Sequence, residues 1–334
     1  MVPGPTLYTP SAVRVLAAGL VVALAAQAPA AIPSRVPDEH MRVPAENPPT
    51  EARIALGRRL FFDPTLSRDG SIACARCHDP ARGFADDKPV AVGIAGRAGT
   101  RNSPAIVNRG YGAAFFWDGR EKTLEAQVVR PLENPNEMGT TVAAVVANLA
   151  RDRDYASAFT TAFGRAVNAT DVARALASYV RTIQSADSAL DRYRGGDRTA
   201  LTAEEQRGQR VFRGHGLCTT CHQGSTFSDE DFHNTGVAWD GQRFTDEGRA
   251  VVTRDPMDRG AFKTPTLREV ARTAPYMHNG SLPTLEAVVE FYDKGGRANP
   301  ALDREMRALN LSGTDKAALV AFLRALSGVV TEGK

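Results

Sequence analysis

The chain has 334 residues, of which 43% are hydrophobic and 24% are charged, and its formal net charge is +3. This composition is typical of an ordinary globular protein, and the length favours two domains over one. No strongly basic patch is present, so the sequence indicates no nucleic-acid partner.

The N-terminal segment predicts export. Residues 13–26 are apolar except for Arg14, and this stretch is too short for a comfortable transmembrane helix. It is typical of the hydrophobic region of a signal peptide, and the sequence Ala-Pro-Ala at residues 28–30 is a suitable cleavage site. We therefore assign residues 1–30 to a signal peptide and 31–49 to a proline-rich tether. We expect a periplasmic protein, which meets a membrane only if the N-terminal segment is retained.

Two Cys-x-x-Cys-His motifs dominate the rest of the chain, at residues 74–78 and 218–222. This is the attachment signature of c-type haem, in which both thiols add to the haem vinyl groups and the next histidine ligates the iron. The motifs use all of the cysteines: Cys74, Cys77, Cys218 and Cys221. A zinc ribbon, a thioredoxin-like pair or two disulfides would leave both histidines unexplained. We therefore predict two covalently bound haem c groups.

A weak internal repeat precedes the two motifs. The sequence Gly-Arg-Arg-Leu-Phe at residues 57–61 resembles Gly-Gln-Arg-Val-Phe at 208–212. The first copy lies in a predicted amphipathic helix with Thr50 as its N-cap, and the second follows a capping box formed by Thr202 and Glu205. A duplicated cytochrome c-like fold accounts for this repeat.

The two haem domains are predicted at residues 50–196 and 197–334, and the last helix is expected to pack back on the first domain. These bounds follow from the placement of one motif in each half of the chain.

The remaining pattern predicts a mainly α protein without a strand of consequence. Long helices are expected at 140–163 and 170–193, each after a Thr or Asp start signal. Residues 224–265 lack sustained periodicity and are expected to form a long loop over the second haem. Two further helices are expected at 283–293 and 314–326, each followed by glycine.

The chain resembles the bacterial di-haem cytochrome c peroxidase and MauG family over roughly residues 50–326. Six segments carry the resemblance, in the family's order: Leu60 to Pro64, Arg101 to Pro104, Phe116 to Arg120, Pro131 with Glu137 to Gly139, Lys263 to Arg268, and Ala274 to Gly280. The resemblance implies that the N-terminal haem is the peroxide site and the C-terminal haem its electron-transfer partner. It makes His78 and His222 the proximal iron ligands.

The resemblance also assigns three catalytic residues. Trp117 matches a tryptophan that the family places between the haems, where an indole can pass an electron or share a radical. Gln127 and Glu137 match polar residues of the distal pocket. A carboxylate held near bound peroxide can take the proton from one oxygen and return it to the leaving one, while Gln127 orients peroxide or water. The alternative interpretations are that Trp117 only fills the core and that Glu137 is a solvated loop carboxylate.

Two positions depart from the cytochrome c peroxidases of the family. Those enzymes cap the resting peroxide site with a histidine, but residues 79–101 contain none. The resemblance therefore implies an open first haem that needs no prior reduction. The sixth ligand of the second haem, a methionine in those enzymes, matches Tyr292, as in MauG. Phenolate favours ferric and higher states, whereas a thioether favours ferrous iron. Met277 is the rival ligand, and helix packing is the other interpretation of Tyr292.

The family also binds calcium between its haem domains through an asparagine side chain and two backbone carbonyls, which are the hard oxygen donors that calcium prefers. The matching residues are Asn102, Thr273 and Pro275. Without the resemblance, Asn102 would be a turn residue. The histidines without an assigned role are interpreted as surface or loop residues: His40, His215 and His233.

Three functions are compatible with these residues. The leading hypothesis is a MauG-like oxidoreductase that reacts with hydrogen peroxide at the first haem, stores both oxidising equivalents as a high-valent state over the two haems and Trp117, and oxidises a residue of a periplasmic partner protein, with residue maturation as the outcome. The second is a cytochrome c peroxidase that reduces peroxide to water with electrons from a small redox protein. The third is a non-catalytic di-haem electron carrier, which needs no distal glutamate. The sequence names no protein substrate.

Overall fold

A computed structural model describes residues 40–333, together with the isolated residues Met1 and Gly4. The predicted signal peptide and most of the predicted tether lie outside the described residues. Within residues 40–333, no helix is both long and apolar enough to cross a membrane.

The described part of the chain is mainly helical, which confirms the predicted fold class. Its helices are α1 Glu51–Phe62, α2 Leu124–Glu133, α3 Val142–Arg151, α4 Arg153–Phe163, α5 Ala169–Arg181, α6 Ala189–Arg194, α7 Ala203–Arg213, α8 Ala250–Thr253, α9 Leu285–Asp293 and α10 Gly313–Arg324. Two short antiparallel pairs complete it: β1 Gln184–Ala186 with β4 Val329–Thr331, and β2 Phe232–His233 with β3 Phe262–Lys263.

The internal repeat marks two equivalent helix crossings. Gly57 of α1 lies so close to α5 that a Cβ atom on it would be 1.9 Å from the carbonyl oxygen of Ala175. Gly208 of α7 approaches α10 in the same way, since a Cβ atom there would be 1.9 Å from the carbonyl oxygen of Ala318. Only a residue without a side chain permits this approach, which explains why both copies of the repeat begin with glycine.

The phenylalanines that end the two copies also occupy equivalent positions. The ring of Phe61 lies 5.1 Å from that of Tyr179, and the ring of Phe212 lies 5.2 Å from that of Phe322, measured between centroids. The first pair belongs to a hydrophobic cluster within residues 56–183, and the second to a cluster that begins at Leu190. The predicted domain boundary at residue 196 stays a prediction, although α6 contributes to the second cluster.

The terminal helix and the terminal strand have different neighbours. Helix α10 packs against α7 and α9. The strand after it, β4, pairs with β1, and Arg58 of α1 lies 3.2 Å from the carboxylate of Glu332. The segment after α10 therefore contacts the first half of the chain, and the packing of the last helix on the first domain stays a prediction.

The predicted caps are present. The Thr50 hydroxyl accepts a hydrogen bond from the Arg53 N–H at 3.3 Å. The Thr202 hydroxyl accepts from the Glu205 N–H at 3.2 Å, and the Glu205 carboxylate accepts from the Thr202 N–H at 2.7 Å. This confirms the capping box at the start of α7.

Several element bounds differ from the prediction. The helix predicted at 140–163 is interrupted at Asp152, whose carboxylate caps α4 by accepting from two backbone N–H groups. The helix predicted at 170–193 ends at Arg181, and Ser188 starts α6 with a capping box. Residues 224–265 contain β2, β3 and α8 rather than loop alone. Helix α2, capped by Thr123, was not predicted.

Candidate active site

One cavity of about 850 Å³ brings the predicted site residues together. Its wall includes all of them: Cys74, Cys77, His78, Asn102, Trp117, Gln127, Glu137, Cys218, Cys221, His222, Thr273, Pro275, Met277 and Tyr292. A volume of this size is typical of cofactor sites, which occupy roughly 300–1,000 Å³. Residues from motifs that are far apart in the sequence therefore face one space.

Each Cys-x-x-Cys-His motif forms a short 3₁₀ turn, at Cys74–Arg76 and Cys218–Thr220. The backbone N–H of His78 donates to the Cys74 carbonyl at 3.0 Å, and that of His222 donates to the Cys218 carbonyl at 2.8 Å. The turn brings both thiols and the imidazole of each motif to the cavity wall.

The two motif histidines are oriented alike by their neighbours. Nδ1 of His78 lies 3.2 Å from the Phe84 carbonyl oxygen, and Nδ1 of His222 lies 2.9 Å from that of Phe227. With Nδ1–H donating to a carbonyl, Nε2 keeps its lone pair for a metal. Burial lowers the pKa of both imidazoles, that of His78 to about 4, so both are neutral near pH 7. Both are thus prepared to ligate iron.

The thiols fit covalent haem better than the alternatives. All four are free, and burial raises the pKa of Cys74 and Cys218 to about 12. A thioredoxin-like pair would have a lowered thiol pKa. A four-cysteine zinc site would need both pairs together. In the described part of the chain, the residues with metal-like spacing are Cys221, Asp229 and His233, which do not join the two pairs.

Glu137 faces the first motif. The side-chain amide of Asn134 donates to Glu137 Oε1 at 2.6 Å. Burial raises the pKa of the Glu137 carboxyl above its ordinary value. Glu137 lines the same cavity as Cys74 and Cys77, and after burial a negative charge on Glu137 also raises the pKa of both thiols. A carboxyl whose pKa is raised in this way is better suited to accept and return a proton than an exposed carboxylate.

Gln127 lines the same cavity as Glu137 and lies in the first turn of α2. The N-cap Thr123 fixes the start of that helix by accepting from the Ala126 N–H at 3.1 Å. Within residues 40–333 the side-chain amide of Gln127 has no hydrogen-bond partner. It is therefore available to a small polar molecule in the cavity.

Trp117 is held by segments from both halves of the chain. Its indole N–H donates to the carbonyl oxygen of Asn102 at 2.8 Å. Its own carbonyl accepts from the backbone N–H of Lys263, also at 2.8 Å. Trp117 is consequently held on the cavity wall by two segments that are far apart in the sequence, one containing Asn102 and the other Lys263.

Both rival ligands of the second haem face the cavity. Tyr292 lines the cavity with Cys218 and Cys221, and burial, followed by the charges on Cys221 and Cys218, raises the pKa of its phenol. Met277 lies on the same wall, in a left-handed backbone conformation with φ of 72°. The assignment of Tyr292 as the ligand stays a prediction.

The predicted calcium ligands also lie on the wall. The side-chain amide of Asn102 donates to the Lys88 carbonyl at 2.9 Å, and its Oδ1 has no donor within residues 40–333. The backbone N–H of Asn102 donates to the His278 carbonyl at 2.7 Å, which ties it to the segment that contains Thr273 and Pro275. These are oxygen donors of the kind that calcium takes, and the site stays a prediction.

His233 was interpreted as a surface or loop histidine, and this was wrong. It lies in β2 and on the cavity wall, with Nδ1 2.5 Å from Asp303 Oδ2 and Nε2 3.0 Å from Asp229 Oδ2. Asp303 is 70 residues away, so no local sequence pattern could predict its contact with His233. His40 and His215 are exposed, as predicted.

A buried ion cluster at the cavity was also missed. Glu230 lies 2.7 Å from Arg109 and 3.4 Å from Lys263. Burial lowers the pKa of Lys263 to about 8, whereas Arg109 and Lys263 overcome the burial of Glu230 and lower its pKa to about 2. The cluster joins the two halves of the chain. Lys263 belonged to a family-like segment, but nothing in that segment indicated its partner.

Comparisons with known proteins agree with this geometry. A profile described as di-haem cytochrome c peroxidase matches residues 51–199, and one described as RoxA-like, cytochrome c-like matches residues 261–294. The chain is 40% identical to the methylamine utilization protein MauG of Methylorubrum extorquens, over 85% of this chain and 80% of that protein. It is 37% identical to the cytochrome-c peroxidase IdrP1 of Denitromonas iodatirespirans, over 93% and 91%.

A solved structure is similar over most of its length. It is that of a MauG-like protein associated with microbial copper homeostasis, with a TM-score of 0.81 and 33% identity, and the match covers 90% of this chain and 95% of that one.

Proposed function

The chain belongs to the di-haem cytochrome c peroxidase and MauG family, and from this premise we propose that it is a MauG-like peroxidase that uses hydrogen peroxide to oxidise a residue of a partner protein in the periplasm. The family consists of oxidoreductases that act on peroxide, and its di-haem cytochrome c character implies haem c as cofactor.

Two sets of residues would hold the cofactors. Cys74, Cys77 and His78 would hold the first haem. The corresponding residues for the second are Cys218, Cys221 and His222, with Tyr292 as sixth ligand. When bound, haem supplies iron that can take up the two oxidising equivalents of peroxide.

Glu137 carries this proposal. Its side chain lines the cavity together with the thiols of the first motif, and burial raises its pKa. In that position it can take the proton from one peroxide oxygen and return it to the oxygen that leaves as water. The free amide of Gln127 can donate to peroxide and orient it for this transfer. A non-catalytic electron carrier would need neither side chain.

Trp117 connects the two halves electronically as well as structurally. The Asn102 carbonyl holds its indole N–H, and the Lys263 N–H holds its backbone carbonyl, on the wall that both motifs share. A fixed indole in this position suits transfer of single electrons between the two cofactors, because it needs no movement for each transfer.

Tyr292 and the loop after the first motif favour the MauG-like reaction. The phenol faces the second motif, and an anionic phenolate there suits a centre that shares oxidising equivalents. Residues 79–101 contain no histidine that could close the first site. Met277 on the same wall favours the second candidate, a cytochrome c peroxidase supplied with electrons by a small redox protein.

Calcium would complete the site. We propose that Asn102 Oδ1 and the carbonyl oxygens of Thr273 and Pro275 bind it. Since the carbonyl of Asn102 also receives the Trp117 N–H, the ion would stabilise the position of that indole.

The fully oxidised, haem-loaded protein tests the proposal. Mass spectrometry should show two covalent haems, and absorption spectroscopy should show a rapid reaction with peroxide without prior reduction. A requirement for one-electron reduction would favour the cytochrome c peroxidase. If the haem-loaded protein reacts with peroxide neither when fully oxidised nor after one-electron reduction, any peroxidase function is contradicted.

A further inference from the structure

The chain contains two tryptophans, and they pack against the same cluster of side chains. The cluster consists of Ala238, Phe244 and Phe262, and both Trp117 and Trp239 contact it. Phe244 and Phe262 are each only 8% exposed. The indole on the cavity wall and a second indole thus contact one apolar, largely aromatic layer.

Trp239 is held firmly against this layer. Its ring lies 5.0 Å from that of Phe244, between centroids, in an edge-to-face arrangement at 62°. Its backbone forms a bridge with that of Phe244, and its carbonyl accepts from the Arg297 guanidinium at 2.7 Å. These contacts place the Trp239 ring against Phe244 and tie its backbone to the neighbouring segments.

The two indoles differ in their surroundings. Trp117 lies on the cavity wall and donates its N–H to Asn102. Trp239 is not one of the wall residues, it is partly exposed, and its indole N–H has no hydrogen-bond partner within residues 40–333. One indole therefore faces the cofactor space, and the other can reach solvent.

Electron transfer through protein weakens steeply with distance, so a redox-active ring midway divides a long transfer into two shorter ones. Tryptophan is among the side chains that lose one electron most easily, whereas phenylalanine loses one only with difficulty. Trp239 is the second side chain at this cluster that can carry the electron, after Trp117.

We propose that Trp239 is a second redox-active tryptophan, which passes single electrons from the protein surface to Trp117 across Phe244 and Phe262. The inference rests on the proposed function, because peroxide supplies the oxidising equivalents. It adds a defined surface entry point for the electrons of the partner.

The electron balance is simple. Reduction of hydrogen peroxide to two waters takes two electrons and two protons. In each one-electron step, Trp239 gives an electron to oxidised Trp117, and the partner, a one-electron donor, gives an electron to Trp239 and is itself oxidised. The indole proton of Trp239 can leave to water on oxidation and return on reduction, since no described residue holds it.

The test uses the haem-loaded protein, peroxide and no donor. Without a donor, oxidised Trp239 persists long enough to react irreversibly, so we expect peptide mass spectrometry to find oxygen added to Trp239. Electron paramagnetic resonance should show an organic radical that Trp239→Phe loses and that Trp239→Tyr replaces by a tyrosyl signal. Trp117→Phe should abolish oxygen addition at Trp239, because it interrupts the path.

Tyr193→Phe is the matched control, since Tyr193 packs against the hydrophobic cluster that begins at Leu190. This variant should leave the radical signal and the pattern of oxidised peptides unchanged. A merely structural role of Trp239 predicts equal behaviour of its Phe and Tyr variants, and that result would overturn the inference. Equal oxidation of Trp239 with and without Trp117 would also overturn it. A wild-type protein that reacts with peroxide but gains no oxygen at Trp239 contradicts this inference alone, whereas no reaction with peroxide contradicts the proposed function.

Discussion

The side-chain amide of Asn134 donates a hydrogen bond of 2.6 Å to Oε1 of Glu137, three residues along the loop after α2. This contact holds the carboxyl while burial raises its pKa. A hydrogen bond to the ionised form limits that rise, so the carboxyl can act in both protonation states.

Replacing Glu137 with Gln should slow the reaction with peroxide by a factor on the order of 10²–10⁴, the usual contribution of a general acid–base group. Stopped-flow absorption of the haem-loaded protein measures it, with resting spectra expected to be unchanged. Glu133→Gln is the control, because Glu133 is exposed at the end of α2, just before this loop, and should have no effect. If Glu137→Gln reacts with peroxide at the wild-type rate, Glu137 is a solvated loop carboxylate without a catalytic role.

Replacing Tyr292 with Phe should change the spectrum of the low-spin haem, because the phenolate would no longer be its sixth ligand. Tyr292→Met should raise the reduction potential of that haem, since a thioether favours ferrous iron. Spectroelectrochemistry of the resting protein measures both. Met277→Leu is the paired variant on the same cavity wall and should leave the low-spin spectrum intact. The opposite pattern would identify Met277 as the ligand and favour the cytochrome c peroxidase.

Replacing Glu230 with Gln should destabilise the protein at pH 7 by about 3–5 kcal/mol, because Arg109 and Lys263 would be left buried without their carboxylate. Urea unfolding of the haem-loaded protein measures the loss. The control is Glu247→Gln, which removes an exposed ion pair with Arg259 and should cost less than about 1 kcal/mol. An equal loss of unfolding free energy in the two variants would contradict the argument that burial makes the Glu230 ion pairs costlier to break than the exposed pair.

The same cluster predicts a pH dependence. The pKa of Glu230 is lowered to about 2 in the folded protein from an ordinary value of 4.5, with Arg109 and Lys263 opposing the burial. A lowered pKa stabilises the fold above the unfolded value, and that stabilisation is lost as the pH falls from 4.5 towards 2. Wild-type unfolding free energy should therefore fall over this window more steeply than that of Glu230→Gln. Parallel curves would show that Glu230 contributes nothing to acid unfolding.

Replacing Gly57 or Gly208 with Ala should destabilise the protein by about 1–3 kcal/mol, because the new methyl group would meet a carbonyl oxygen at 1.9 Å and force two helices apart. Thermal unfolding measures this. Gly313→Ala, in the first turn of α10, is the control, since a Cβ atom there has no neighbour within 4 Å. Tolerance of Ala at both crossings would mean that the helices can separate without cost.

The parts that the sequence predicted are those with local signals. Cys-x-x-Cys-His is complete within five residues, and a capping box such as Thr202 with Glu205 within four. The interruption at Asp152 was missed, because the segments on both sides of it have helical patterns, while its carboxylate competes for the backbone N–H groups of α4.

The missed contacts are those that depend on distant parts of the chain. His233 meets Asp303, and Arg109 meets Glu230, across separations that no spacing rule covers. Trp239 likewise lies in a segment without periodicity, so its packing against the same cluster as Trp117 could be found only in three dimensions. Tertiary packing decides such contacts, and the local sequence is compatible with many of them.

The hydrogen bond from the Trp117 indole to the Asn102 carbonyl lowers the reorganisation energy of electron transfer through this indole. When an indole loses an electron, its N–H becomes more acidic and more strongly attracted to a negative dipole end. In water, solvent dipoles would have to turn towards the new charge. Here a carbonyl dipole already points at the N–H before the charge forms, so little reorganisation energy is needed in either direction.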